Sequence, residues 1–165
     1  MDTEILPNHL LQIIKKGEGL TIEFKEAKKN LPTSLFESIC AMLNRNGGHI
    51  FLGLDDNGEV VGIYKDYIKK MKKDFVNQCN NPEKLYPTAH LDIKEYSYLN
   101  KHILYVYVYE SSDVHKTANK IFDRNQDGDY DITTNTSLIS NLYIRKSSTY
   151  IENKIYPYAT INDLR

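Results

Sequence analysis

The 165-residue chain lacks several features that would place it in a special class of protein. It has only two cysteines, Cys40 and Cys79, and they share no CxxC spacing, which argues against a disulfide framework or a zinc site and predicts two buried thiols. No apolar run approaches the length needed to span a bilayer, and the first twelve residues lack the basic start and cleavage site of a secretion signal. We therefore expect a cytoplasmic protein with no membrane partner.

The motifs of several enzyme classes are also missing. No GxxxxGK[ST] occurs, and no lysine directly follows a glycine, which excludes a P-loop nucleotide site. GxGxxG, GxSxG and HExxH are absent too, so dinucleotide binding, α/β-hydrolase chemistry and zincin chemistry have no support. The five histidines are far apart and lack the spacing of metal ligands.

What is present is the composition of one ordinary globular domain. The chain is 41% hydrophobic and contains 13 tyrosines and 5 phenylalanines, which is too rich in core-forming residues for a disordered protein. Its 21 basic and 22 acidic side chains leave a formal net charge of -1, which excludes a strongly basic, indiscriminate DNA coat protein. The near-neutral total conceals an uneven distribution, because lysines collect near residues 25–29 and 65–73 and acids near residues 123–131.

Hydrophobic periodicity predicts an α+β fold: a single domain with a mixed, mainly antiparallel sheet flanked by about three helices. The predicted helices are Pro7–Lys16, a stretch from Pro32 to Asn44, and Asp66–Asn77. One predicted strand begins at Leu20, and two more flank a hairpin turn at Asn57-Gly58. Three further strands are predicted at Ala89–Tyr96, His102–Tyr109 and Leu142–Arg145. Thr160–Arg165 resembles the capped start of one more helix, so we expect a domain over residues 1–160 and, at 161–165, the beginning of a helix or linker in a longer protein.

Three short motifs follow one another in the first half of the chain. They are GEGLTIEFKEA at residues 17–27, A-x-x-N-x-x-G-G at residues 41–48 and G-L-D-D-N-G-x-x-x-G at residues 53–62. In this order they make the sequence resemble the Schlafen AlbA-like DNA-binding domain. The stretch Tyr143–Thr149 looks like the same family's closing Y-[VI]-R-x-G-S-S-T strand and turn, although Lys146 stands directly before Ser147 where many members have a glycine.

This resemblance implies a nucleic-acid-binding module, often placed at the N-terminus of a bacterial regulator or an ATPase-like protein, with DNA or RNA as the partner. In animal Schlafen proteins the same fold forms a metal-dependent endoribonuclease built on three carboxylates. Glu18, Glu23 and Asp55 occupy the matching positions here. They are therefore the candidate catalytic residues and the candidate ligands of Mg²⁺ or Mn²⁺, the only cofactors that the resemblance implies.

Such a trio is chemically sensible, because magnesium and manganese favour hard carboxylate oxygens. On a regular strand a spacing of five would place Glu18 and Glu23 on opposite faces, but Gly17 and Gly19 allow Glu18 to sit on an irregular loop that folds back. The alternative is that Glu23 forms an exposed charge pattern with a neighbouring lysine, and that Asp55 only supplies turn chemistry.

Positive charge is concentrated in stretches that could contact phosphates. The candidate nucleic-acid-binding residues are Lys25, Lys28, Lys29, Lys69, Lys72, Lys73 and Arg145. The alternative for these lysines is a solvated helix face. Arginines are few, so we expect recognition of backbone and shape rather than of base edges. Tyr105, Tyr107 and Tyr109 share one strand face, which favours a buried or half-buried face over a base-stacking platform.

The acidic stretch Asp123–Asp131 matches an EF-hand loop through the ninth position of that motif. Calcium needs a bidentate glutamate at the twelfth position, where this chain has Thr134, and no helix precedes the loop. We therefore predict an acidic hairpin-like loop rather than a calcium site.

Three interpretations remain open from the sequence. The first is a nucleic-acid-binding module, and the second is a metal-dependent endoribonuclease. The third is an interaction or homo-oligomerisation domain whose lysines serve only solubility.

Overall fold

The computed structural model describes residues 3–148 of the chain. Thr149 and the helix start predicted at Thr160–Arg165 lie outside the described residues. Within the described part the chain forms ten helices and strands in order: α1 (Asn8–Lys16), β1 (Ile22–Lys25), α2 (Leu35–Asn44), β2 (Gly48–Leu52), α3 (Lys65–Cys79), β3 (Ile93–Tyr98), β4 (Lys101–Val108), β5 (Phe122–Asn125), β6 (Gly128–Asp131) and α4 (136–148).

A mixed four-stranded sheet forms the centre of the domain. Its strand order is β1-β2-β4-β3, in which β1 runs parallel to β2 and the other pairs are antiparallel. β3 and β4 are joined by Leu99 and Asn100, whose φ angles of 51° and 65° match the twist of a tight two-residue hairpin. β5 and β6 form a separate two-stranded hairpin. The predicted α+β fold is confirmed.

The two faces of the sheet bury different sets of side chains, because neighbouring residues on a strand point to opposite faces. Leu104, Val106 and Val108 point toward α2 and α3 and form the larger core with them. Phe51 and Ile103 point the other way, into a smaller core closed by α1. Both cysteines are free and buried in the larger core, as predicted.

The last predicted strand, Leu142–Arg145, is wrong, because these residues lie in α4. Leu138, Ile139 and Leu142 recur at helical spacing and pack on the β5–β6 side of the domain, where Ile132 is buried. The short apolar run alone could not distinguish the two structures. Lys146, which directly precedes Ser147, is buried in α4 and donates hydrogen bonds to the carbonyls of Leu43 and Ser111.

The hairpin predicted around Asn57-Gly58 is shorter than expected. Leu54 and Val60 form one isolated antiparallel bridge, and the chain after them does not continue as a strand. Within residues 3–148, no helix is both long enough and apolar enough to cross a membrane.

Candidate functional site

Two of the three predicted acids meet beside the edge strand β1. Gly17 has a φ angle of 80°, which lets the chain leave α1 and turn back before the strand. Glu18 lies in the resulting loop, and its Oε2 accepts a hydrogen bond from the backbone N–H of Phe24 at 2.9 Å. The Glu23 side chain is close enough to interact with this carboxyl group. The loop therefore brings together two acids that a regular strand would separate.

The Glu18 carboxyl group holds a proton more tightly than an ordinary glutamate. Partial burial, the interaction with the Glu23 side chain and the negative charges of Glu23 and Asp56 raise the pKa of Glu18 to about 7. The Phe24 N–H opposes this rise. Near neutral pH the pair therefore carries a proton in part of the molecules.

Arg124, on β5, is the main cation at this site, and sequence reasoning did not single it out. Its side chain is only 1% exposed. The guanidinium lies 3.0 Å from Glu23 Oε1 and 2.6 Å from Asp129 Oδ1. It also donates to three backbone carbonyls at the start of β1, those of Gly19, Leu20 and Ile22. This planar donor set joins the β5–β6 hairpin to the Glu18 loop.

Lys25 lies inside this network rather than on an open surface. Its ammonium group donates to Ser34 Oγ at 2.8 Å and lies 4.0 Å from Glu23 Oε2, and the side chain is only 10% exposed. Asp129 in turn accepts a hydrogen bond from Ser38 of α2. The contacts of Lys25 are thus with the protein.

Asp55 has a different surrounding from the two glutamates. Its Oδ1 accepts the backbone N–H groups of Asn57 and Glu59, at 2.9 and 3.0 Å, and so closes the loop after β2. Across residues 3–148, no group of three or more Asp, Glu, His or Cys side chains is arranged to hold a metal ion. Because Arg124 and Lys25 also occupy the vicinity of Glu23, the residues present do not fit a three-carboxylate magnesium or manganese site.

The acids of the β5–β6 hairpin are bound by side chains of the protein. Asp123 accepts two hydrogen bonds from Arg45, at 3.0 and 2.9 Å. Asp131 accepts hydrogen bonds from Thr133, which lower the pKa of its carboxyl group. The hairpin predicted from the acidic sequence is confirmed, and the contacts with Arg45 tie it to the end of α2.

Two separate lysine stretches form one surface in the folded domain. The backbone N–H of Tyr64, at the start of α3, donates to the carbonyl of Lys28 at 3.0 Å. The ammonium group of Lys29 lies over the Tyr64 ring, 5.8 Å from its centroid. Five lysines then follow along α3, and all but Lys70, which pairs with Asp74, belong to this surface. We call the whole set the basic surface: Lys28, Lys29, Lys65, Lys69, Lys72 and Lys73, which are exposed except for the half-buried Lys72.

Arg145, the remaining predicted contact, lies against the end of α2. Its guanidinium donates to the carbonyl of Asn44 at 2.8 Å and lies 3.5 Å from Asp123 Oδ2. Positive charge at a helix C-terminus is stabilising, so these contacts hold α4 on α2.

The fold and these surfaces define a small α+β module with a lysine-rich side and a buried carboxylate–arginine network. The sequence pattern of the Schlafen, AlbA_2 family matches residues 18–149. The chain belongs to this family, which confirms the resemblance drawn from the motifs. Membership indicates a nucleic-acid-related domain.

Solved structures are similar to this chain. The DIP2311 protein from Corynebacterium diphtheriae superposes with a TM-score of 0.56 at 15% identity, over 75% of this chain and 29% of that one. The N-terminal domain of a protein from Nitrosomonas europaea, named for its relation to the ATP-dependent DNA helicase RecG, matches at 27% identity with a TM-score of 0.48, over 62% of this chain and 71% of that one. A comparison with curated proteins finds no match.

Glu23→Gln should lower the pKa of Glu18 toward its ordinary value of 4.5 without restoring it fully, because burial, the largest cause of the rise, remains. A ¹³C NMR titration of the Glu18 carboxyl carbon measures this change. Asp56→Asn is the matched control and should lower the pKa less, since Asp56 is the weakest of the causes. An unchanged pKa of Glu18 in Glu23→Gln would contradict the contact between the two acids.

The same pKa sets the direction of a pH effect on stability. Between about pH 4.5 and 7 the folded chain binds more protons at Glu18 than the unfolded chain does. The free energy of unfolding contributed by this group is therefore fully present below pH 4.5 and falls as the pH rises through 7. Glu18→Gln should remove that fall in urea titrations carried out across the range.

Proposed function

We propose that this domain binds nucleic acid through the basic surface. The observation that carries the proposal is the contact of the Lys28–Lys29 loop with Tyr64, because it places two lysine stretches, far apart in the sequence, side by side. Along α3, Lys65, Lys69 and Lys73 follow at intervals of four residues, which keeps them on one side of the helix. A continuous row of cations is what a polyanionic backbone requires.

The arginines of the described residues favour recognition of the backbone over recognition of bases. Arg45 binds Asp123, Arg124 is buried on Glu23 and Asp129, and Arg145 binds the end of α2. None of these three guanidinium groups is presented for bidentate contact with a base edge. Lysine, a compact and flexible charge, contacts phosphates without reading sequence. We expect binding that depends on salt and little on sequence.

Lys28→Ala/Lys29→Ala should weaken binding of a fluorescein-labelled DNA duplex roughly tenfold or more at about 0.1 M salt. The slope of log K against log salt should become shallower by about 2, since each phosphate contact contributes about 0.9. Fluorescence anisotropy over a series of KCl concentrations measures both quantities.

Lys70→Ala is the matched control for this experiment. Lys70 lies on the same helix, but it forms an ion pair with Asp74 at 2.7 Å and is not part of the basic surface. Its removal should leave affinity and slope nearly unchanged. Equal losses in the two variants would show that only total charge matters and would overturn the assignment of the site.

The endoribonuclease implied by the resemblance is the alternative function: Glu18 and Glu23 interact, but the described residues contain no three-carboxylate metal site. The position of Asp55 in a loop-closing turn does not favour it. Incubation of the domain with labelled RNA in the presence of Mg²⁺ or Mn²⁺, followed by a denaturing gel, separates the two functions. Cleavage that disappears in Glu18→Gln would support the enzyme, and an intact strand would support binding alone.

A place within a longer regulator or ATPase-like protein is part of the same proposal. The fold occupies 29% of the Corynebacterium chain, so it exists as one part of a larger protein. We expect the basic surface to deliver the remainder of such a protein to nucleic acid.

A further inference from the structure

An aromatic surface is exposed on the sheet face that carries α1. Tyr105, Tyr107 and Tyr109 point toward this face near the end of β4, beyond the smaller core. Tyr107 is 54% exposed and Tyr109 is 38% exposed. Large rings left open to water are a feature of binding surfaces rather than of a core. The prediction of a buried or half-buried face is therefore correct for Tyr105, whereas Tyr107 and Tyr109 are more exposed than predicted.

The Tyr105 and Tyr107 rings are held in place by contacts with β2. His49 Nδ1 lies 2.6 Å from the Tyr105 hydroxyl, and the two rings are stacked with centroids 5.9 Å apart. The His49 ring also lies against Tyr107, at 5.5 Å between centroids. Burial and the nearby charges of Lys16 and His9 lower the pKa of His49, so its ring is neutral at pH 7. We call His49, Tyr105, Tyr107 and Tyr109 the aromatic platform.

Three clefts lead from the basic surface to this platform around the β3 edge of the sheet. The first, of about 350 Å³, is lined by Lys65, Lys69 and Lys72 together with Thr3 and Glu95. The second, of about 200 Å³, begins at Lys72 and passes the segment 89–93. The third, of about 250 Å³, shares residues 90–92 with the second and ends at Lys94 and the three tyrosines. The first and second clefts share Lys72, and the second and third share residues 90–92, so the three clefts are adjacent; we call them together the track.

The charges along this track suit a strand of phosphates. Lys65, Lys69 and Lys72 supply cations at its start, and Lys94, the cross-strand neighbour of Tyr105, supplies one beside the platform. Two acids, Asp92 and Glu95, also border the track, and Glu95 accepts a hydrogen bond from Thr3 at 2.9 Å. A lysine-lined groove that ends in exposed rings is how proteins hold single strands.

We propose that the track binds single-stranded nucleic acid, with phosphates on the lysines and unpaired bases stacked on Tyr107 and Tyr109. This inference rests on the proposed function and names its substrate class. A duplex could use only the basic surface, because its bases are already stacked on one another and present no free face to a ring. The platform should therefore make an unpaired strand the tighter ligand.

Binding of fluorescein-labelled oligothymidine of about 15 nucleotides tests the inference, with a duplex of the same length as comparison. Tyr107→Ala and Tyr109→Ala should each weaken single-strand binding by roughly 5- to 100-fold and leave duplex binding unchanged. Tyr107→Phe should retain nearly full affinity, because it keeps the ring. Tyr143→Ala is the matched control: this tyrosine is 49% exposed on α4, away from the track, and its loss should have no effect.

Fluorescence gives a second readout, which does not depend on a change in affinity. The chain contains no tryptophan, so Tyr107→Trp places a single fluorescent indole on the platform. Oligothymidine should quench its emission upon binding, whereas duplex should not. Quenching shows a base against the ring, and unchanged emission in the bound complex would overturn the platform.

The failure of this inference differs from the failure of the proposed function. If Lys28→Ala/Lys29→Ala weakens binding while both tyrosine variants bind oligothymidine as the wild type does, the platform is wrong and the basic surface stands. If the wild type binds neither oligothymidine nor duplex at low salt, the proposed function fails and the platform fails with it. If an added protein binds at the rings, and oligothymidine neither competes with it nor binds there itself, the rings are a site for a protein partner instead.

Discussion

Replacement of Arg124 by methionine should lower the free energy of unfolding by about 3–5 kcal/mol. The change removes the cation from between Glu23 and Asp129 and leaves two carboxylates with little exposure near each other. It also leaves the carbonyls of Gly19, Leu20 and Ile22 without their donor. Arg124→Lys should recover only part of the loss, because an ammonium group cannot reach all of these acceptors at once.

Urea unfolding followed by circular dichroism measures this loss. Lys116→Met is the matched control, since it removes a positive charge from an exposed side chain and should change the stability by less than about 0.5 kcal/mol. A variant with no cooperative transition would agree with the expected result. A loss below about 1 kcal/mol would show that Arg124 does not organise the site.

Asn44→Ala should cost about 3 kcal/mol or more, because three buried backbone groups would lose their partners. The Asn44 side chain is fully buried at the end of α2. Its Nδ2 donates to the carbonyls of His115 and Phe122, and its Oδ1 accepts the N–H of His115 at 2.7 Å. This one amide thus fixes His115, in the segment before β5, and Phe122, the first residue of β5, against α2.

The same urea titration tests Asn44→Ala, with Asn77→Ala as the control. Asn77 is exposed on α3, so its replacement should change stability by no more than about 0.5 kcal/mol. Asn44→Asp would keep the shape but lose the donor, and should also be strongly destabilising. Wild-type stability in Asn44→Ala would mean that the three backbone groups find other partners.

Local patterns predicted most of the elements because each of them is defined by its own residues. The alternation from Leu20 to Lys25 and the helical stripe from Leu35 to Leu43 can be read in the sequence without knowledge of any partner. α4 could not be identified in this way, since its apolar face becomes visible only when Leu138, Ile139 and Leu142 are read as one spacing. The strand prediction used only the last of these residues and its neighbours.

Contacts between residues far apart in the sequence form the parts of the site that local patterns did not predict. Two glycines predicted the loop that brings Glu18 to Glu23, but nothing nearby in the sequence identifies Arg124 as their neighbour across the fold. One signal was available: Arg124 follows the apolar pair Ile121-Phe122, where a buried strand is expected and a charge needs acidic partners. Asp55 closes a turn, as its alternative interpretation stated, because its closest donors are the N–H groups of its own loop.

The lysines illustrate the same limit on the functional surface. The sequence predicted two lysine-rich stretches, but it did not predict that Lys28 and Lys29 would lie beside the lysines of α3. The hydrogen bond from Tyr64 to the Lys28 carbonyl is the contact that joins them, and no periodicity encodes it. Lys25, by contrast, belongs to the first stretch in sequence but to the buried network in space.

The most direct test of the central claim is the affinity of the wild-type domain for nucleic acid as salt is raised. The account predicts measurable binding of oligothymidine at about 50 mM KCl and a steep linear fall of log K with log salt, by roughly 0.7 for each phosphate contacted on a single strand. Binding that is absent at low salt, or that does not change as salt rises, would contradict it.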